Sequence, residues 1–163
     1  RESKEVVLQA WKEFGDAFGR HYSPVESYRC EGCKTLLLTM GSFSETAMTA
    51  IDKIRDKGKD VGLVRLRLWR PFPFEEFRQA IKDAETLIVL DRALSYGGPG
   101  GPVSSEIKSA LYDMDKRPKI VSFVGGLGGR DISVAGFEDI VNKGIEISRT
   151  GSAREFEIYG VRG

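Results

Sequence analysis

The stretch TLIVLDRALSYGGPGGPVSSEIKSAL, residues 86–111, decides the fold. TLIVLD is a short apolar run of strand length, and SYGGPGGP is a glycine- and proline-rich loop. Beyond it Val103, Ile107, Leu111 and Met114 recur at helical spacing. Strand, loop and helix in that order make half of the βαβ unit from which parallel sheets are built.

The same order recurs on both sides of this stretch. Upstream, VGLVRLRLW (61–69) reads as a strand, with Leu63, Arg65, Arg67 and Trp69 on one face and Val64, Leu66 and Leu68 on the other. Pro71 and Pro73 punctuate it, and Pro73 suits the first position of a helix through Phe74, Phe77 and Ile81. Earlier still, KTLLLTM (34–40) reads as a buried strand. Ser42 and Glu45 then spell a capping box for a helix that turns Ala47, Ala50, Ile51 and Ile54 inward and ends at Gly58. Residues 3–20 carry Val7, Trp11, Phe14 and Phe18 at helical spacing, and HYSPVESY breaks that helix at Pro24. Downstream, KIVSFVG (119–125) is a fourth strand, followed by GGLGGRD and a helix from 133 to 142 with Gly144 as its stop. Four strands alternating with helices predict a three-layer α/β/α domain whose sheet is mainly parallel.

At 163 residues the chain is of single-domain size and long enough to bury a core. Lys and Arg number 25 against 24 acidic residues, without long blocks of one sign, which argues against a nucleic-acid or membrane partner. Aliphatic runs such as Leu36–Leu38 and Leu87–Leu90 are too short to span a bilayer. The charged N-terminal stretch lacks a signal-peptide core, and two cysteines do not make a secreted disulfide scaffold; the expected compartment is a reducing cytoplasm. A start at Arg1 rather than Met suggests a processed product or a piece of something longer.

Ligands of parallel sheets gather at the carboxyl ends of the strands. There the sequence places MGS, RPFP, DRALSYGGPGG and GGLGGRD. GGLGGRD is not G-x-G-x-x-G, and no G-x-x-x-x-G-K-[ST] occurs. Its glycines supply positive φ and close backbone approach, with direct phosphate binding as the competing reading. The single histidine, His21, has no nucleophile elbow to accompany it. Asp91 and Asp131 could act as an acid–base pair; alternatively Asp91 pairs with Arg70 or Arg92 to hold the edge together. Cys30 and Cys33 have the spacing of a zinc or dithiol motif, but a closed site wants four ligands and a redox motif should follow a strand rather than precede it.

The pieces GRHYSPVESYR, LRLWRPFP, VLDRALSYGGPGGPVSSEIKSAL and VGGLGGRDIS, in this order and spacing, resemble the second domain of the pyruvate and 2-oxoacid:ferredoxin oxidoreductases, the C-terminal part of their alpha chain. The resemblance covers residues 19–140, and R-P-F-P, D-R-A and G-L-G-G-R-D are specific in combination. It implies a fold similar to the transketolase C-terminal domain: five strands with one antiparallel edge, the fifth expected in EFEIYGV (155–161). The expected division is residues 1–30 as helix and linker, 31–144 as the α/β domain, and 145–163 as a tail with a possible edge strand. Where that family is variable, just before the first strand, this chain has Cys30 and Cys33, which supports reading them as incidental.

The resemblance implies oxidative decarboxylation of a 2-oxoacid such as pyruvate. Thiamine diphosphate with Mg²⁺ carries the carbanion chemistry, iron–sulfur clusters pass electrons to ferredoxin, and coenzyme A takes the acyl group. The cysteine runs and acidic diphosphate motif for those groups are missing here, so they are expected on other domains or subunits. An accessory, assembling role follows, with no catalytic or metal residues in this chain. Its interface or ligand-edge candidates are Arg70, Phe72, Asp91, Arg92, Gly126, Gly128, Gly129, Arg130 and Asp131. Phe72 is expected as an exposed apolar anchor between rigid prolines; Arg70, Arg92 and Arg130 are placed for interdomain ion pairs or an anionic ligand such as coenzyme A. The alternatives are an independent nucleotide- or coenzyme A-binding module and a free-standing enzyme using Asp91 and Asp131.

Overall fold

Leu36, Leu37 and Leu38 and the run Leu87–Leu90 are buried on both faces, which makes their strands the centre of the sheet. In the computed structural model, which describes residues 2–151 and 154–161, the order is α1 (Glu2–Phe18), β1 (Val25–Tyr28), β2 (Thr35–Met40), α2 (Phe43–Asp56), β3 (Val61–Leu66), α3 (Phe74–Ile81), β4 (Thr86–Asp91), α4 (Pro102–Leu111), β5 (Lys119–Gly125), a 3₁₀ turn (Leu127–Gly129), α5 (Val134–Thr150) and β6 (Glu157–Tyr159). These strands form one sheet in the order β1-β3-β2-β4-β5-β6. All neighbours are parallel except β1 and β3, which pair antiparallel with Val25 opposite Leu66.

The alternating side chains of the strands feed two cores. Leu37, Leu63, Ile88, Leu90 and Phe123 pack under α2 and α5. Leu36, Leu38, Val64, Leu66 and Val89 pack under α3 and α4 on the other face. The result is the expected three-layer sandwich with one antiparallel edge.

The antiparallel edge is not where the sequence reading put it. EFEIYGV does contain a strand, but β6 runs parallel to β5, with Val124 opposite Ile158. The antiparallel strand is β1, inside the stretch read as a mere break. Its side chains are only half covered, so it lacks the apolar run that marks a central strand. Three further expectations change. Ser42 is already helical (φ −62°, ψ −24°) and its side chain caps nothing; the amides of Ser44 and Glu45 turn back to the carbonyls of Gly41 and Ser42, and Glu45 pairs with Arg65 instead. Strand β3 stops at Leu66, because the amides of Arg67 and Leu68 turn to the carbonyl of Pro24. Gly144 does not end α5. It lies within the helix because a Cβ there would come 2.5 Å from Ile88 Cδ1; the stop is Gly151, at φ +71°. The boundaries expected at 30 and 144 thus fall inside the folded unit, since β1 precedes one and α5 spans the other.

The last connection is of unusual hand. From β4 to β5 and from β5 to β6 the chain steps the same way across the sheet, yet α4 and α5 lie on opposite faces. The crossovers through α2, α3 and α4 share one hand, and the one through α5 has the other. Parallel crossovers are right-handed in about 98% of cases. Reaching the α2 face from β5 forces the chain over Phe43 at Gly126, where φ is +73° and a Cβ would lie 2.6 Å from the Phe43 ring. Only glycine passes there.

Candidate functional site at the carboxyl edge of the sheet

The carboxyl ends of β2, β3, β4 and β5 present loops 41–42, 67–73, 92–101 and 126–133 along one edge. At the centre of this edge Asp91 is 1% exposed. Its carboxylate accepts the amides of Val103 (2.7 Å) and Ser104 (3.0 Å) in the first turn of α4. The cap position of that helix is Gly101, which has no side chain to do this; a Cβ there would lie 2.1 Å from the Asp91 carboxyl carbon. The last residue of β4 therefore caps the helix that follows it. Burial pushes the Asp91 carboxyl above its ordinary value of 3.8, against the opposing pull of the two amides. The carboxylate pairs with neither Arg70 nor Arg92, as the sequence reading had suggested.

The arginines are held differently. Arg70 pairs with Glu106 at 3.0 Å and stacks on Trp69. The Arg92 guanidinium lies 4.3 Å over the ring of Phe43, and Arg130 donates to the carbonyl of Gly160, tying the tail beyond β6 to the glycine loop. Among the described residues, neither Arg92 nor Arg130 meets a carboxylate at salt-bridge distance. Asp131 is exposed beside Arg130, on a different loop from Asp91, whose oxygens are committed to α4. Gly126, Gly128 and Gly129 all have positive φ, and the turn they form holds Leu127 out at its tip.

Phe72 is not the exposed anchor expected from RPFP. It is 8% exposed, with its ring edge-on to Trp69, Phe74 and Phe77, and belongs to the core under α3 and α4. The prolines that fix the loop turn the ring inward. Within the four loops, two exposed large apolar side chains were passed over by the sequence reading. Tyr96 is 97% exposed and Leu127 38% exposed. Their signal was present in SYGGPGG and GGLGG: a lone large side chain flanked by glycines has no periodic partners with which to share a core.

The cysteines sit at the opposite end, in the turn between β1 and β2. The Cys30 thiol donates to the carbonyl of Leu63 (3.2 Å), and burial raises its pKa. The Cys33 thiol is buried, donates to the carbonyl of Arg29 (3.2 Å) and accepts from Arg55 Nη1 (3.0 Å). Both thiols are engaged with protein groups, and among the described residues no cluster of three metal-ligating side chains exists. Cys30→Ser together with Cys33→Ser should leave the fold intact, and purified protein should carry no stoichiometric zinc or iron. Zinc at one equivalent per chain, lost on mutation, would overturn that reading. His21 packs its ring against Gly15 of α1, where a Cβ would lie 2.3 Å from Nδ1. A cleft of about 500 Å³ opens between Trp11, Tyr22, Arg65 and Arg67, but Glu26 and Glu45 already pair with its two arginines. No helix among the described residues is long and apolar enough to cross a membrane.

The sequence profile of the pyruvate:ferredoxin oxidoreductase core domain II matches residues 33–137. The chain belongs to that family. It is 42% identical to the pyruvate synthase subunit PorA of Methanothermobacter thermautotrophicus over 86% of this chain and 36% of that one. The Thermotoga maritima PorA is 38% identical over 85% of this chain and 36% of its own length. The ketoisovalerate oxidoreductase subunit VorA of Pyrococcus horikoshii is 35% identical over 99% of this chain and 41% of its own length. The core domain II chain thus spans little more than a third of the curated relatives it matches. In fold it is similar to part of a 2-oxoglutarate:ferredoxin oxidoreductase from Magnetococcus marinus, solved with 2-oxoglutarate, coenzyme A and succinyl-CoA bound (TM-score 0.60, 18% identity, 85% of this chain and 23% of that one). A split-gene transketolase, an inactive β4 tetramer, also matches (TM-score 0.58, 14% identity, 80% and 44%). These two likenesses concern the fold alone.

Proposed function

We propose that this chain is the accessory, assembling domain of a thiamine-diphosphate-dependent 2-oxoacid:ferredoxin oxidoreductase acting in the cytoplasm. The whole enzyme would decarboxylate pyruvate or a related 2-oxoacid oxidatively, pass electrons to ferredoxin and release acyl-CoA. One observation carries the reading beyond family membership. Asp91, buried at the ligand edge of the sheet, has both carboxylate oxygens engaged by the amides that open α4, which supports a capping role over proton transfer.

The donor set does not fit the enzyme's cofactors. Two thiols bonded to backbone carbonyls do not make the four ligands that a cluster wants, and among the described residues no group of three or more His, Cys, Asp or Glu side chains is placed to hold a metal ion. This supports placing thiamine diphosphate, Mg²⁺ and the iron–sulfur clusters, and with them the ferredoxin contact, on other domains or subunits. Relatives named for pyruvate and for ketoisovalerate match this domain at similar identity, which supports placing substrate choice elsewhere as well. Arg70, Arg92, Gly126, Gly128, Gly129, Arg130 and Asp131 would face neighbouring parts of the enzyme. Arg92 and Arg130, lacking carboxylates, also support a second reading in which this edge meets the phosphates of coenzyme A.

The isolated chain, given pyruvate, thiamine diphosphate, Mg²⁺, coenzyme A and a redox dye, should reduce no dye. The enzyme reassembled with its other subunits should do so. Turnover by the chain alone would refute the accessory role.

A further inference from the structure

The four carboxyl-edge loops differ in composition from the rest of the surface. They hold four arginines (Arg67, Arg70, Arg92 and Arg130), one acidic residue, Asp131, and no lysine or glutamate. Eight of their residues are glycine. The loops at the opposite edge, 29–34, 57–60, 82–85 and 112–118, hold five lysines and six acidic residues. Lysine and glutamate are the side chains that buried protein interfaces shed, while arginine and the large aromatics are those they gather.

Two of the edge residues have the form of anchors. Tyr96 stands at the tip of a turn closed by the amide of Ser95 on the carbonyl of Gly100 (2.9 Å) and the amide of Gly98 on the carbonyl of Ser95 (2.9 Å). Leu127 tops the turn of positive-φ glycines after the neighbouring strand β5. Both side chains are presented by backbone that is already ordered, so little further freedom is lost on docking. Tyrosine is among the side chains enriched at hot spots. Beside them Arg92 is fixed over Phe43 and Arg130 is fixed to Gly160, and among the described residues neither charge meets a carboxylate at salt-bridge distance.

We infer that this edge is an interface for an acidic face of another subunit of the enzyme, with Tyr96 and Leu127 as its apolar anchors and Arg92 and Arg130 as its charged contacts. The inference rests on the assembly reading above and gives it a location and a sign. Arg67 and Arg70 contribute less, because Glu26 and Glu106 already neutralise them.

The test uses the complete subunit that contains this chain, mixed with the other purified subunits, with the dissociation constant followed from about 0.05 to about 0.5 M salt. Tyr96→Ala should weaken association by about thirtyfold and Leu127→Ala by about fivefold, each at every salt concentration. Arg92→Glu with Arg130→Glu should weaken it by tenfold or more at low salt, the gap from wild type closing as salt rises. Lys116→Glu, at the opposite edge, should leave association unchanged. All these side chains are exposed, so unchanged melting temperatures separate lost docking from lost folding. If the wild-type subunit fails to associate at all, the assembly reading itself falls and this inference with it. If the wild type assembles and the four edge variants assemble equally well, only the inference falls. Normal assembly with a raised coenzyme A KM in the arginine variants would also overturn it, assigning the edge to the anionic ligand instead.

Discussion

Phe72→Ala lowers the unfolding free energy by about 3–5 kcal/mol, the range for removing a buried phenylalanine. Its ring is in edge contact with three other aromatic rings, at centroid distances of 6.1, 4.9 and 5.7 Å to Trp69, Phe74 and Phe77. Removing it leaves a cavity that the neighbouring Pro71 and Pro73, with fixed φ, cannot relax to fill. For a domain of this size the melting temperature should fall by about 10 °C. Thermal unfolding followed by circular dichroism checks it. A fall of only a degree or two, with weakened subunit association, would restore Phe72 to the exposed role that RPFP suggests. Phe72→Leu, which keeps most of the apolar volume, should recover more than half of the loss.

Asp91→Ala should have the next largest effect, about 3 kcal/mol, because it leaves two buried amides of α4 without an acceptor. Asp91→Asn keeps one acceptor oxygen and should lose about 1 kcal/mol. The two variants also test the titration. Burial raises the carboxyl's pKa in the folded state, so the stability linked to its protonation is complete below the ordinary value of 3.8 and is lost as pH rises through the folded-state value. Wild type should therefore gain stability over Asp91→Asn on acidification, and the gap should flatten at neutral pH. An opposite slope, with wild type gaining on the variant as pH rises, would mean that the two amides outweigh burial and hold the pKa down.

The parallel strands, their order in the chain and the helices between them were legible from residues 34–125, because a strand buried on both faces must be apolar throughout. TLLLT and TLIVL say so without help from the rest of the molecule. The carboxyl edge was legible for the same reason: once strands and helices alternate, the loops after the strands must share one side. The family was legible from those loops as well, since R-P-F-P, D-R-A and G-L-G-G-R-D all fall within the matched residues 33–137. Of the glycines in GGLGG, 126, 128 and 129 have the positive φ read for them, Gly125 has only the close approach, to Ile132, and Gly144 lies within α5 instead of ending it.

What tertiary structure decided is where side chains went when sequence offered them two destinations. Phe72 between prolines reads as an exposed anchor; the aromatic neighbours at 69, 74 and 77 drew it into the core instead. Asp91 reads as catalyst or ion-pair partner; it became a cap, a role the sequence reading did not offer, because Gly101 at the cap position has no side chain. The direction of the edge strands lay outside sequence reach, because VESY and EIY are three or four half-covered residues whose pairing depends on which edge is vacant. Short range in sequence fixes periodicity and burial. Direction, hand and partner are settled only when distant segments compete for the same edge or the same core.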